Sequence, residues 1–165
     1  MTELKGRVAL VTGGGRDVGA AISKMLAERG ASVAINYHSS KAEAEAVVAE
    51  IEKAGGKAKA YQADIADADV VREMVATVKS DFGGLDILVN NAGLVFRKRF
   101  SESTPEDWKK QIDTCLYGAL NCSHSAGPLL EASAEDVSSR SWATLHGSAS
   151  PDWRLPRPRA RARSH

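Results

Sequence analysis

The stretch that decides the fold is RVALVTGGGRDVG, residues 7–19. Its first half is an apolar, β-branched run without strict alternation, which is typical of a strand buried on both faces of a parallel sheet. The glycines at 13–15 follow at once and allow a sharp turn, and Gly30 marks a helix stop. Apolar residues recur at helical spacing between these points: Val18, Ile22, Met25 and Leu26.

The same alternation of apolar runs and helical patterns continues to about Leu130. Strands are predicted at residues 32–37, 57–63 and 86–90, with helices in the intervals. The predicted helix starts are the capping box Ser40-Lys41-Ala42-Glu43, the N-cap Asp67 and the segment Thr104-Pro105-Glu106-Asp107. This order predicts an α/β fold: a Rossmann-type, doubly wound parallel sheet, truncated after about four strands.

The glycine turn also predicts a phosphate site. Glycines let the backbone approach a pyrophosphate closely, and the unpaired N–H groups and dipole of the following helix favour negative charge. A plain strand–helix turn also favours glycine, but the position at the first β–α junction of an alternating chain strengthens the phosphate interpretation. No Gly-Lys-Ser/Thr follows, so a nucleoside-triphosphatase loop is not expected.

Composition changes near Glu131. All ten lysines lie between Lys5 and Lys110, whereas residues 132–165 hold six arginines, three prolines and no lysine. These residues show no sustained period, and the arginine- and proline-rich end cannot readily bury a core face. We therefore predict a dinucleotide-binding unit at 1–131 and an atypical, disordered tail at 132–165. A frame shift or truncation would leave an altered C-terminus of this kind.

Three motifs in register resemble the N-terminal half of the short-chain dehydrogenase/reductase family, especially its 3-oxoacyl-carrier-protein reductases and its sugar or alcohol dehydrogenases. Thr12, Gly13 and Gly19 have the family's glycine spacing, and Asp64 follows the third strand, where the family contacts adenine. Asn90-Asn91-Ala92-Gly93 matches the NNAG motif that borders the cofactor. The resemblance implies a cofactor site formed by Thr12, Gly13, Gly15, Arg16, Val18, Gly19, His38, Ser39, Asp64, Ile65, Asn91, Ala92 and Gly93.

The end of the second strand favours NADP(H) over NAD(H). NAD-binding relatives carry an acid there, on the ribose 2′-hydroxyl, whereas residues 36–41 (NYHSSK) hold none. The resemblance implies that Arg16 meets a 2′-phosphate, a role that suits its planar donors, and that His38 and Ser39 add donors. Asp17 stands where the family usually has Gly or Ala. Its carboxylate is expected to weaken cofactor binding by like-charge repulsion, or to cap the helix start.

The family's catalytic groups are not found where the resemblance implies them. Cys115 takes the place of a helical asparagine, and no Ser or Tyr-x-x-x-Lys is recognisable after Leu130. The literal match Tyr37 to Lys41 follows the second strand and is interpreted as coincidence. We expect no catalytic residue in this chain. The family function is an oxidoreductase that interconverts a carbonyl and an alcohol; the alternatives are an inactive nucleotide-binding fragment or pseudoenzyme, and a product that does not fold durably.

Overall composition indicates a cytoplasmic protein. The net charge of +1 predicts no strong attraction for nucleic acid or an anionic membrane, and no apolar run approaches a bilayer span. The N-terminus lacks a signal-peptide pattern. Cys115 and Cys122, seven residues apart on one predicted helix, are interpreted as buried thiols rather than a disulfide or metal ligands. A small carbonyl or alcohol is the expected partner, and the resemblance implies homo-oligomers.

Overall fold

A computed structural model describes residues 3–145, with side chains described as far as Ala134. Its strands form one parallel sheet in the order β3–β2–β1–β4. The sheet confirms the predicted α/β architecture, because every pairing is parallel and helices connect the strands. The strands are β1 (Val8–Val11), β2 (Ser32–Tyr37), β3 (Lys57–Gln62) and β4 (Ile87–Val89).

Helices cover both faces of this sheet. They are α1 (Asp17–Glu28), α2 (Lys41–Lys53), α3 (Ala68–Phe82), α4 (Pro105–Ile112) and α5 (Gly118–Leu145). The side chains of β1 alternate: Val11 packs with α1 and α2, whereas Leu10 packs with α3 and α5. Between α4 and α5 the chain forms a π-helical turn (Asp113–Tyr117), and one turn of 3₁₀ helix (Phe100–Glu102) precedes α4.

All three predicted helix starts are confirmed, since α2, α3 and α4 begin directly after Ser40, Asp67 and Thr104. The Asp67 carboxylate accepts hydrogen bonds from the first backbone N–H groups of α3, and Thr104 forms a capping box with Asp107 at α4. The predicted capping box at Ser40 is wrong. Ser40 makes no side-chain cap bond, and its backbone (φ −88°, ψ 59°) departs from the extended conformation that a capping residue usually adopts.

Helix α1 approaches the sheet through small residues. Gly19, Ser23 and Ala27 are buried, whereas Val18 is 67% exposed although it belongs to the apolar pattern of the sequence. Leu26 is the one residue of that pattern that is buried. Close contact with the sheet therefore selects small side chains on this face and leaves some larger ones outside.

The helix at the predicted domain boundary does not stop there. α5 crosses Glu131 and continues to Leu145, so the predicted loss of helical structure from residue 132 is wrong as far as Leu145. The change from lysine to arginine does not mark the end of the helix, because the two residues have similar helix propensities. The remainder of the predicted disordered tail, residues 146–165, lies outside the described residues. Within the described part, no helix is both long and apolar enough to cross a bilayer.

One carboxylate fastens α5 to the amino-terminal edge of the sheet. Asp86 accepts hydrogen bonds from the Ser133 hydroxyl (2.5 Å), the Arg7 guanidinium (2.6 Å) and the Val8 backbone N–H (2.8 Å). Burial opposes ionisation, but the bonds from Ser133, Arg7 and Val8 outweigh it, so the pKa of Asp86 is lowered. Asp86 is therefore held in its charged form at the junction of β1, β4 and α5.

Asp86→Asn should lower the free energy of unfolding at pH 7 by about 1.5–3 kcal/mol, because it weakens hydrogen bonds made by a charged group. The folded-state pKa lies below that of the unfolded chain. The stabilisation is thus present above about pH 4 and is lost as pH falls through the folded pKa. Urea unfolding followed by circular dichroism at pH 7 and pH 3 measures both effects. The control is Asp69→Asn, which alters an exposed ion pair with Arg72. If the free energy of unfolding of wild type exceeds that of Asp86→Asn by the same amount at pH 7 and pH 3, the lowered pKa of Asp86 is contradicted.

Candidate functional site

The carboxyl ends of the four strands open on a cavity of about 400 Å³. It lies at the point where the strand order reverses, because β2 and β4 flank β1 on opposite sides. In open parallel sheets, ligands bind in the crevice at this point. All the sequence-predicted site residues except Thr12 line the cavity: Gly13, Gly15, Arg16, Val18, Gly19, His38, Ser39, Asp64, Ile65, Asn91, Ala92 and Gly93.

Thr12 has a different place from the one predicted. It is 1% exposed, and its hydroxyl oxygen accepts hydrogen bonds from the backbone N–H groups of Asn91 (3.0 Å) and Ala92 (3.1 Å). The hydroxyl also lies 3.3 Å from the Val89 carbonyl oxygen, to which it donates. Thr12 therefore joins the end of β1 to the turn after β4 and does not line the cavity.

The glycine turn and the first turn of α1 are packed too tightly for side chains at several positions. A Cβ on Gly19 would lie 2.2 Å from the Gly13 carbonyl oxygen, and Gly13 itself has a φ of +61°. The Asn91 side chain donates to the carbonyl oxygens of Thr12 (2.9 Å) and Gly13 (3.2 Å). Gly15 serves another contact, since a Cβ there would lie 2.8 Å from Cα of Ala44 in α2. The turn is thus held between both neighbouring segments.

The amino-terminal end of α1 borders the cavity. Its N-cap residue is Arg16, which makes no side-chain cap bond, and Asp17, Val18 and Gly19 follow as cavity-lining residues. The first N–H groups of a helix have no partner within the helix, and the dipole makes this end positive. Together with the side-chain-free turn, this helix end can accept an anion.

Asp17 does not occupy the N-cap position of α1, so its carboxylate does not serve as the N-cap group. It is the first residue of the helix and has a φ of +47°. Within the described residues it is the one non-glycine residue with positive φ. Asp and Asn tolerate this conformation better than most residues, which explains how the chain accommodates a carboxylate here.

The far wall of the cavity brings together loops after β2 and β3. His38 Nε2 lies 3.9 Å from Asp64 Oδ2, and Asp64 Oδ1 accepts a hydrogen bond from the Ala66 backbone N–H (3.0 Å). Arg16 is exposed on the rim, and none of the ion pairs among the described residues includes it. With no carboxylate paired to it among the described residues, the Arg16 guanidinium can interact with a negatively charged group in the cavity.

Seven residues that line the cavity are not among the predicted site residues. One of them is Asn36, which is buried and whose side-chain oxygen accepts from the Gly13 backbone N–H at 3.3 Å. A polar residue inside the apolar strand SVAINY is the one sequence cue that could have found it. The predicted site also omitted Asp17, Tyr37, Ser40, Ala63, Leu94 and Thr114, which line the same cavity.

The two cysteines differ in environment, contrary to the prediction that both are buried. Cys122 is buried, and that burial raises its pKa to about 11. Cys115 is exposed, and its Sγ lies 3.3 Å from the Leu94 backbone N–H, which donates to it. Cys115 belongs to the π-helical turn, whose wider hydrogen-bonded rings shift the register of the faces along the helix. Seven residues therefore do not return to the same face.

The literal Tyr-x-x-x-Lys match has no catalytic geometry of its own. Tyr37 is buried at the end of β2 and lines the cavity, whereas Lys41 pairs with Glu45 on the surface of α2 at 3.6 Å. Tyr117, on the π-helical turn, is 53% exposed. Neither tyrosine is paired with a lysine among the described hydrogen bonds and ion pairs.

Known proteins share this chain's sequence and fold. A family model described as short chain dehydrogenase matches residues 7–139. The 3-oxoacyl-(acyl-carrier-protein) reductase FabG of Staphylococcus aureus is 48% identical over 120 residues, which are 73% of this chain and 49% of that protein. A 3-oxoacyl-(acyl-carrier-protein) reductase of Synechocystis is 42% identical over 79% of this chain and 53% of its own length. The chain spans about half the length of the curated relatives that it matches.

Solved structures agree with these sequence matches. A short-chain dehydrogenase from Burkholderia cenocepacia, crystallised in complex with NADP, matches with a TM-score of 0.74 and 46% identity, over 78% of this chain and 52% of that one. A dehydrogenase/reductase from Sinorhizobium meliloti matches with a TM-score of 0.76 and 40% identity, over 78% of this chain and 51% of that one. Sequence and fold therefore point to the same group of proteins.

Gly19→Ala should destabilise the protein by about 2 kcal/mol or more, because the new Cβ would overlap the Gly13 carbonyl oxygen and the turn would have to move. Gly127→Ala is the matched control: Gly127 lies within α5 and has open space where a Cβ would stand. That control should be neutral or stabilising by up to about 1 kcal/mol. Urea unfolding of both variants measures the difference, and equal stabilities contradict the packing described for the turn.

Proposed function

The chain belongs to the short-chain dehydrogenase family, and on that basis we propose that its cavity binds NADP(H) for the interconversion of a carbonyl and an alcohol. The observation that carries the proposal is the meeting of a side-chain-free glycine turn, a helix amino terminus and Arg16 at one cavity. The proposed substrate is a small carbonyl or alcohol compound. A cytoplasmic location and assembly of identical chains are part of the same proposal.

The pyrophosphate of the dinucleotide would lie against the glycine turn. Gly13, Gly15 and Gly19 line the cavity without side chains, so their backbone is accessible to such a group. The first N–H groups of α1 would donate to phosphate oxygens, and the helix dipole favours the negative charge. Asp17 opposes this attraction, since its carboxylate lines the same cavity.

The 2′-phosphate would be met by Arg16 with help from the loop after β2. The guanidinium can donate two parallel hydrogen bonds to phosphate oxygens, which a lysine cannot do. His38 and Ser39 line the cavity from the other side and offer further donors. No acid stands at residues 36–41 to bind a free 2′-hydroxyl or to repel the phosphate. These features favour NADP(H) over NAD(H).

The remaining wall residues would orient the two ends of the cofactor. Asp64 and Ile65 would contact the adenine, while Asn91, Ala92 and Gly93 would border the path toward the nicotinamide. When bound, the nicotinamide ring supplies or accepts the hydride that converts carbonyl to alcohol or the reverse. The residues of this chain would bind the dinucleotide and orient it along the carboxyl edge of the sheet.

Nucleotide binding without turnover is the second candidate. Two observations favour it. The Cys115 thiol lies next to Gly93 and Leu94 and accepts a hydrogen bond from the Leu94 backbone N–H. Among the described residues that line the cavity there is no tyrosine–lysine pair. A phenol with an ordinary pKa near 10 is a weak base at neutral pH without such a partner. Absorbance at 340 nm with NADPH and a panel of ketones distinguishes the two: turnover favours the first candidate, and binding without turnover the second.

Arg16→Ala should raise the dissociation constant for NADPH by about ten- to a hundredfold, because a charge-assisted pair with the 2′-phosphate is lost. The dissociation constant for NADH should change by about twofold or less. Fluorescence titration of both cofactors measures the two effects, and Arg29→Ala, at the opposite end of α1, is the matched control. An unchanged NADPH-to-NADH ratio in Arg16→Ala excludes Arg16 from phosphate recognition.

Asp17→Asn should tighten NADPH binding by about three- to tenfold at low salt, because it removes the repulsion between two negative charges. Asparagine tolerates the positive φ as aspartate does, so this change isolates the charge. The gain should shrink as salt screens the interaction. Asp17→Gly also relieves the backbone and should bind at least as tightly as Asp17→Asn. A tenfold loss of affinity in either variant would show that the carboxylate assists binding.

A further inference from the structure

Asn36 is a buried amide at the centre of the sheet's carboxyl edge. It belongs to β2, lies between β1 and β3, and is 2% exposed. β1 and β3 do not pair with each other, because β2 separates them. A connection between the turn after β1 and the loop after β3 must therefore pass across the end of β2.

The Asn36 side chain makes that connection in both directions. Its Oδ1 accepts a hydrogen bond from the Gly13 backbone N–H at 3.3 Å, and its Nδ2 donates to the Ala63 carbonyl oxygen at 3.1 Å. The Asn36 backbone carbonyl oxygen also accepts from the Gly14 N–H at 3.1 Å. One residue thus holds the glycine turn on one side and the residue that precedes Asp64 on the other.

The chemistry of these bonds requires a short primary amide. An acceptor and a donor must stand on one planar group of fixed width, and asparagine supplies both. Aspartate has no donor, leucine of similar size has neither group, and glutamine is longer by one methylene. Buried N–H and C=O groups that lose their partners are unfavourable, so the turn and the loop would shift to find others.

We infer that Asn36 is a positioning residue for the dinucleotide. It sets the separation between the glycine turn, which would bind the pyrophosphate, and the loop of Asp64 and Ile65, which would contact the adenine. This inference rests on the proposed function, because the spacing matters to a ligand that touches both sites at once. The affinity for the ligand depends on this spacing, because each protein group that must move on binding reduces the net binding free energy.

The primary test replaces the amide by an uncharged side chain of similar size. Asn36→Leu should raise the dissociation constant for NADPH by about tenfold or more, since both hydrogen bonds are lost. Val78→Ala is the control for lost stability: Val78 is fully buried in α3 and lies outside the cavity. The control should destabilise the fold yet bind NADPH within about twofold of wild type.

A double-mutant cycle with Asp64→Ala separates positioning from general weakening. In the wild-type background, Asp64→Ala should raise the NADPH dissociation constant by about threefold or more, the scale expected when one hydrogen bond to the ligand is lost. In the Asn36→Leu background the same change should have little effect, because Asp64 is already displaced. Additive effects indicate a merely structural asparagine and overturn the inference.

The outcomes also separate this inference from the proposed function. If wild type binds no NADPH, the proposed function fails and this inference with it. If wild type binds NADPH and Asn36→Leu binds equally well, the inference alone fails. Should Asn36→Leu not fold, Asn36→Ser is judged by the same criteria. If neither folds, hydrogen exchange of the wild-type Gly13 amide decides: strong protection supports the link, and exchange at the rate of an open turn overturns it.

Discussion

The contact between Gly19 and the Gly13 carbonyl oxygen is the constraint on which the cavity depends. A Cβ at Gly19 would stand 2.2 Å from that oxygen, so the first turn of α1 can fold back on the glycine turn because Gly19 has no side chain. This approach brings the helix amino terminus to the end of β1, where the strand order reverses. The positive end of a helix and a concave backbone surface then occupy one place, a combination that can accept an anion.

Buried polar side chains keep that arrangement in register. Thr12 joins β1 to the turn after β4, Asn91 holds the carbonyl oxygens of the glycine turn, and Asn36 links the turn to the loop after β3. Each of these groups has a hydrogen-bond partner, and among the described residues no buried side-chain polar atom lacks one. The strand ends therefore form a connected network, which favours a single arrangement over several similar ones.

The two ends of the sheet have different roles. At the amino-terminal edge, Asp86 ties β1, β4 and α5 together through Arg7, Val8 and Ser133, and this supports the fold. At the carboxyl edge the side chains leave a cavity open. The glycine turn and the buried Thr12 and Asn36 border this cavity, so the residues that shape it also contribute to the packing of the fold.

Local sequence was sufficient for the strands, the glycine turn and the caps at Asp67 and Thr104, because each depends on neighbours within a few positions. The family resemblance added twelve of the residues that line the cavity, but not Asn36 or Thr114. Distant contacts placed Thr12, which faces inward because the backbone N–H groups of Asn91 and Ala92 donate to its hydroxyl. Local backbone geometry leaves the Ser40 side chain without a cap bond to α2 and places Cys115, exposed, on a π-helical turn. The partners of Asn36 come from Gly13 and Ala63, 23 and 27 residues away. The periodicity of the sequence indicates which face of an element a residue occupies. Hydrogen bonds across strands depend on the order of the strands in the sheet, and only the tertiary structure decided that order.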